Sequence, residues 1–572
     1  MTRRHPLAAP RPPLRARRHP LAALCAALCI AAFCAAFPAA AGAGTPAWDD
    51  PRPPEALAAV FAEAMTDEEA LAQTIMLAWG GAEPSPLILR WVRERRIGGI
   101  KIFGWNTDDS ARLAQTIAAL QEAALSSGQG IPLLIATDQE GGMVRHIKGA
   151  TSETPGNMAL GASGRPIDAY LAGRGIGAEL ALLGINMNFA PNVDLFTNPQ
   201  SLLVGTRSFG SGPAAAGLLG AAFMKGLLAA GVIPTAKHFP GHGATDLDSH
   251  GTLPRVYASF ETLWERELIP YRLLAREKIP ALMSGHIAFP ATPAGEAPAS
   301  LSRWFLHDVL REKMGFEGIV ITDDLVMMGA TDYAGSLASA AKQALAAGND
   351  VILLSNIPSL EAPLWHSLLQ AMRSESAFRA RVHDAARRIL ETKLRALRGP
   401  SAPPLRPDPQ AALRGLAANS GRAAFFQDLA ARSVTIVQGA DALPLRPEAA
   451  GRVLLAGQFG DFFKAGSAAY PGAAVYWYTP DSAEEIQRLA RGADTLIFCL
   501  SAAAGLPILE ACRGLNKRVI VFSALNPGYL TRARWADAAL ALYSYAPESF
   551  AAGFSALRGA FEAQGALPFE AP

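Results

Sequence analysis

Gly318-Ile-Val-Ile-Thr-Asp323-Asp324-Leu-Val-Met-Met-Gly329 is an apolar run that ends in two adjacent carboxylates and then turns. An uninterrupted apolar stretch of this length reads as a strand buried on both faces, the kind that parallel sheets contain. Seven runs of the same character precede or follow it: Gln73–Gly80, Ile97–Gly104, Ile131–Asp138, Ile185–Asp194, Val232–His238, Pro280–Ala288 and Asp350–Asn356. Amphipathic helical stretches separate them, which is the alternation of parallel βα units. Eight such units in about 330 residues are the arithmetic of a (β/α)8 TIM barrel.

The polar residues sharpen this assignment. Asp138, Asn192 with Asp194, Lys237 with His238, His286, Asp323 and Asn356 all stand at or just past the carboxyl ends of their runs. Burying ionisable groups on apolar strands is costly unless they are paired, and in a barrel that edge is the active-site face. The set therefore predicts a site at the barrel mouth.

The proline-rich stretch Gly399-Pro-Ser-Ala-Pro-Pro-Leu-Arg-Pro-Asp-Pro409 interrupts the pattern and reads as a linker over 399–420. Beyond it, Ser433–Gln438, Arg452–Gly457, Val475–Tyr478, Thr495–Ser501, Arg518–Ser523 and Ala538–Tyr543 are strand candidates with helical stretches between most of them. The barrel, over 52–398, is thus followed by a smaller α/β sandwich domain over 421–572. The loops of that second domain carry no cluster of His, Asp and Glu, so a supporting role is expected for it.

The chain has 572 residues, and 52 Lys+Arg against 50 Asp+Glu give a formal charge of +2. Six of the arginines (Arg3, Arg4, Arg11, Arg15, Arg17 and Arg18) crowd the first eighteen positions, and no acidic residue precedes Asp49. An apolar run from Leu21 to Phe37 follows, ending in small residues at Ala41-Gly42-Ala43. A basic start, an apolar middle and a small-residue end describe an export signal over residues 1–43. A retained anchor is the alternative, because the run reaches the lower limit for a spanning helix. The expected location is periplasmic or extracellular, with no stable membrane insertion after cleavage. Without the leader the chain is mildly acidic, 46 basic residues against 50 acidic, which offers no case for a nucleic-acid partner. Three cysteines lie in the leader, leaving Cys499 and Cys512, too few for a disulfide framework.

Two segments carry chemistry. Lys237-His238-Phe-Pro-Gly-His242-Gly-Ala-Thr-Asp246-Leu-Asp248-Ser-His250 leaves a strand and turns through Pro240, Gly241 and Gly243. Asp248 and His250 are two apart, which in an extended segment sets both side chains on one side. A carboxylate beside an imidazole fixes its orientation and favours its protonated form, giving a general acid/base near neutral pH. In the second segment, Asp323 and Asp324 point to opposite sides of their strand, so only one of them faces the barrel mouth. Such a carboxylate serves as a nucleophile toward a sugar carbon, as a general base or as a metal ligand. Taken alone, these segments fit either a metal-dependent hydrolase using His238, His242, His250, Asp246, Asp248 and Asp323, or a glycosidase using Asp323 and His250.

The chain resembles the bacterial β-N-acetylhexosaminidases of glycoside hydrolase family 3, in their two-domain form. The matching stretches are Ile97-Gly-Gly-Ile-Lys-Ile-Phe103, Asp138-Gln-Glu-Gly-Gly142, Asn188-Phe-Ala-Pro-Asn-Val-Asp194, Gly205-Thr-Arg-Ser-Phe-Gly210, the Lys237–His250 loop, Pro298-Ala-Ser-Leu-Ser302 and Thr322-Asp-Asp-Leu-Val-Met327. The resemblance implies an exo-acting, retaining β-N-acetylglucosaminidase that needs no cofactor or metal. By position it makes Asp323 the nucleophile and His250 the acid/base, with Asp248 as partner. It gives Asp138, Arg207, Lys237 and His238 contacts to sugar hydroxyls. The implied substrate is an N-acetylglucosamine-containing glycan such as a peptidoglycan fragment. One departure concerns the position eight residues after Asp138, where the family has a substrate-binding arginine: this chain has His146, preceded by Arg145. Either residue is a candidate for the contact. A phosphorylase with the same residues and a catalytically silent glycan-binding protein are the alternatives.

Overall fold

The structure of the protein, a computed structural model, describes residues 46–198, 201, 203–245, 251–418 and 420–570. The export signal over 1–43 and the residues Asp246, Asp248 and His250 lie outside the described residues.

All eight apolar runs form strands: β1 (Ile75–Leu77), β2 (Gly99–Ile102), β3 (Leu134–Thr137), β4 (Met187–Asn188), β5 (Ile233–Phe239), β6 (Ala281–Ser284), β7 (Ile319–Asp324) and β8 (Val351–Leu354). They close into a barrel in sequential order, each parallel to its neighbours, with β1 pairing β8 through Ile75↔Ile352. Most strands are shorter than the runs that announced them; β5 keeps the full length of its run, shifted by one residue.

Alternation along the strands divides the core in two. Met76, Leu134, Ala136, Met187, Phe189, Ile233, Ala281, Met283, Ile319, Ile321, Val351 and Leu353 fill the barrel interior. The intervening residues, such as Ile75, Ile100, Ile135, Leu282, Val320 and Ile352, face outward and pack under the helical ring. That ring is fixed locally by ordinary caps. Asp109, for example, accepts hydrogen bonds from Ala111 N and Arg112 N at the start of helix Ser110–Leu125.

The 399–420 segment, read from its prolines as a linker, contains a helix at Pro409–Ala417. Asp408 caps it and Pro409 occupies its first turn, where proline costs nothing because that N–H has no helical partner. Ala412 and Leu416 of this helix, with Phe426 and Leu429 of the next, join the barrel's outer core, so the connection is packed rather than free.

The six strand candidates of the second domain also form: β9 (Thr435–Gln438), β10 (Val453–Gly457), β11 (Ala474–Trp477), β12 (Thr495–Leu500), β13 (Arg518–Ser523) and β14 (Ala538–Ala541). They make one sheet in the order β9-β14-β13-β12-β10-β11, in which only β9 is antiparallel. Apolar clusters cover both faces of the sheet, as a sandwich requires. One of these clusters takes in Met158, Ala159, Ala162 and Phe196 from the barrel's mouth loops. Cys499 and Cys512 are buried and unpaired. Among the described residues, no helix is long and apolar enough to cross a membrane.

Candidate active site

The inward-facing rows of the barrel do not stop at the core. On β2 the row runs through Gly99 to Lys101, on β3 through Leu134 and Ala136 to Asp138, on β5 through Ile233 and Thr235 to Lys237, and on β7 through Ile319 and Ile321 to Asp323. A period of two therefore delivers four ionisable groups to one level, directly above the apolar interior. They line a pocket of about 770 Å³ together with Phe103, Phe189, Arg207, His238, His242 and Met283.

The charged groups form a network. Lys101 Nζ donates to Asp138 Oδ2, and Lys237 Nζ donates to Asp138 Oδ1. Lys237 Nζ also lies 2.7 Å from Glu140 Oε1. Arg207, on the turn Gly205–Arg207, grips the same carboxylate at two points, Nη2 to Oε1 at 2.7 Å and Nε to Oε2 at 3.0 Å. Burial pushes both carboxyls up, but the ammonium groups of Lys101 and Lys237 outweigh it and hold Asp138 well below the usual carboxylate range. Arg207 and Lys237 do the same for Glu140. Two anions and three cations thus sit together, with nearly every formal charge matched.

Past β5 the chain turns sharply. Gly241 sits at φ 132°, and a Cβ on Gly243 would stand 1.8 Å from Leu195 O, so the turn admits only glycine at both positions. Asp194 anchors the turn by accepting three hydrogen bonds. His238 Nδ1 reaches Oδ2 at 2.7 Å, while the backbone N–H groups of His238 and His242 reach Oδ1 at 3.2 and 2.8 Å. Burial opposes ionisation of Asp194, yet the neighbouring His238 and His242 bring it down to about 2. His242 is itself depressed to about 4 by burial and by His238, which leaves its ring neutral. Its two ring nitrogens have no partner among the described residues.

Alternation was expected to turn only one of the two adjacent carboxylates on β7 toward the mouth, but both line the pocket, and it is their partners that distinguish them. Asp324 Oδ1 accepts from Val326 N and Ser355 N, both at 3.1 Å, and so ties down the loops after β7 and β8. Asp323 Oδ1 accepts from Asp324 N at 2.8 Å. Burial disfavours the charge on Asp323, but His238 and His286 outweigh it and its carboxyl stays below the ordinary range. His286 is held in turn by Ser300 Oγ at 2.7 Å and Asp324 O at 3.1 Å.

Of the candidate residues, Asp138, Arg207, Lys237, His238 and Asp323 come together in the pocket. The Arg145/His146 alternative separates cleanly. His146 lines the pocket, its Nδ1 3.8 Å from Asp138 Oδ2, and burial with Lys101 depresses it to about 4. Arg145 turns away, donating to Glu153 and, at 3.1 Å, to Thr151 O. Asn356 is exposed in a turn beyond β8 and is absent from the pocket wall. Two residues of the site had not been singled out for it, Lys101 and Glu140, while Asp194, expected at the mouth from its strand end, serves there as the anchor of His238. Lys101 carried a signal, a lysine inside an apolar strand, and Glu140 stood two residues after Asp138. Among the described residues, His307, Asp308 and Glu312 are the one group of side chains close enough to share a metal ion; they lie outside the pocket, and Arg303 already pairs with Asp308 at 2.8 Å.

Comparison with known proteins bears on this geometry. The chain is 38% identical over 288 residues to β-hexosaminidase A of Pseudoalteromonas piscicida, covering 48% of this chain and 47% of that protein. It therefore spans about half the length of this relative. Against the β-hexosaminidase of Tolumonas auensis it is 38% identical over 269 residues, 46% of this chain and 77% of that one. A family 3 β-N-acetylglucosaminidase structure from a Paenibacillus strain superposes with a TM-score of 0.77 at 29% identity, covering 89% of this chain and 99% of that one. The model of the glycosyl hydrolase family 3 N-terminal domain matches residues 66–392, more than half of the chain and nearly all of the barrel. With the barrel, the pocket and this match in agreement, the chain belongs to glycosyl hydrolase family 3.

Proposed function

We propose that the protein is an exo-acting, retaining β-N-acetylglucosaminidase that removes terminal β-linked N-acetylglucosamine from glycans such as peptidoglycan fragments. The observation that carries this reading is Asp323, a carboxylate held below the ordinary range in a pocket dense in hydrogen-bonding groups, directly above the apolar barrel core. Such a pocket suits a sugar, and an ionised carboxylate there suits attack on the anomeric carbon. The names of the curated relatives support the N-acetylhexosaminide class.

In this mechanism Asp138, Arg207, Lys237, His238 and His146 hold the sugar by its polar substituents. Asp323 attacks the anomeric carbon as the bond to the leaving oxygen breaks. His250, oriented by Asp248, gives that oxygen its proton. A water then replaces the leaving group, loses a proton to His250 and attacks the same carbon, releasing the sugar and restoring the Asp323 carboxylate. Two inversions leave the configuration unchanged. An imidazole, that of His250, takes the place of the second carboxylate of the usual pair. The leader supports an exported enzyme.

The test is hydrolysis of an aryl N-acetyl-β-glucosaminide by the purified protein. Turnover lost in Asp323→Ala is expected; equal, negligible rates in both proteins would overturn the reading.

A further inference from the structure

A second cavity adjoins the pocket. It is a groove of about 920 Å³ lined by Met143, Arg145, Lys148, Glu153, Ser544 and Tyr545, among others. Val144 and His146 belong to both cavities, so the groove begins where the pocket ends. One bank is the hairpin of Gln139–Gly141 and Val144–Arg145 with the loop after it; the other, Ser544–Ala546, comes from the second domain.

That far bank is built to hold its shape. Tyr543 has a positive φ of 64°, a conformation costly for a bulky side chain, and its hydroxyl donates to Thr435 Oγ1 at 2.6 Å. Ser544 Oγ accepts from Ala546 N at 3.1 Å. Tyr545 is 37% exposed, and Phe459 stacks on its ring at 5.5 Å and 11°. Across the mouth, Trp105 is half exposed and stacked on the pocket residue Phe103 at 4.4 Å and 10°. Lys148 is exposed and has no ion-pair partner among the described residues.

We propose that this groove is the leaving-group half of the substrate site, that it takes a second sugar residue, and that Tyr545 of the second domain is its platform. The proposal rests on the reading above, in which the pocket holds the terminal sugar. The chemistry fits a pyranose ring. Its axial C–H face lies against a braced aromatic plane, and its hydroxyls meet the donors of Lys148 and Arg145 and the acceptor Glu153. The second domain then completes the site rather than only supporting it.

The test uses full-length protein, with the β-1,4-linked N-acetylglucosamine disaccharide and N-acetylglucosaminyl fluoride, whose leaving group is too small to enter the groove. Tyr545→Ala is expected to lower kcat/KM at least fivefold more on the disaccharide than on the fluoride, and Tyr545→Phe to keep the wild-type ratio. Calorimetric binding of the disaccharide to Asp323→Asn is expected to weaken at least fivefold when Tyr545→Ala is added. Equal ratios and equal binding would overturn the groove assignment. If wild type turns over neither substrate while Tyr545-dependent binding persists, the hydrolase reading falls and the groove stands as a saccharide site.

Discussion

Glu140 and Arg207 meet at two points, 2.7 and 3.0 Å apart, the carboxylate fully buried and the guanidinium at the pocket wall. Lys237 shares the same carboxylate, so one side chain that need not touch substrate orients two that line the pocket. Glu140→Ala leaves two cations buried with one fewer anion. It is expected to cost about 3–5 kcal/mol in urea unfolding and to lower kcat/KM by about a hundredfold, mostly through misplacement of Arg207 and Lys237.

The neighbours Asp323 and Asp324 offer a sharper contrast. Asp323→Ala removes the attacking group and is expected to lower kcat about ten-thousandfold, whereas Asp324→Ala frees Val326 N and Ser355 N and is expected to cost only about tenfold. Steady-state rates on an aryl glycoside measure both. Comparable losses would mean that the two carboxylates do not divide their roles in this way.

His146 and His242 give the fold a pH signature. Each is depressed to about 4 in the folded chain, against an ordinary value near 6.5. Between those values the unfolded chain binds more protons, so stability falls as pH drops from 6.5 toward 4, by up to about 3 kcal/mol per imidazole. The depressed carboxyls Asp138, Asp194 and Asp323 act in the same direction only at lower pH, below about 4. Urea midpoints at pH 7 and pH 5 read the histidine contribution, and His242→Asn is expected to flatten the slope.

Lys393 supplies a second signature at the opposite end of the barrel. It is fully buried, donates to Gln73 Oε1 at 2.8 Å, and burial pushes its ammonium down to about 7. The unfolded chain keeps that proton to about pH 10.5, so stability rises as pH increases from 7 toward 10. Lys393→Met is expected to abolish that rise and to add about 2 kcal/mol at pH 6, read by chemical unfolding across the range.

The released sugar identifies the acceptor. In phosphate buffer the expected product is free N-acetylglucosamine, because the proposed second step uses water. A sugar 1-phosphate, resolved by mass spectrometry, would assign the same residues to phosphorolysis.

The eight barrel strands were legible because strands buried on both faces must be apolar along their length, and six of the eight ended in a polar residue that apolar surroundings cannot explain. Asp323 could be preferred over Asp324 only through the family resemblance; the structure supplies the physical reason in the loop bonds of Asp324. Lys101 escaped notice because its partner Asp138 lies 37 residues away, and no local pattern encodes that pairing. The helix at Pro409–Ala417 was hidden by the prolines before it, although Pro409 itself sits where a helix tolerates proline best. Tyr545 carries no signal at all in isolation. Its place is set by a sheet that packs some four hundred residues beyond the hairpin it faces.

Phe189, Met283 and Leu353 belong at once to the barrel's inner core and to the pocket wall. No cushion of solvent or soft loop separates the chemistry from the packing. Trimming a methyl group from Ile321, two residues below Asp323, would therefore register first as a slower enzyme, and only afterwards as a less stable one.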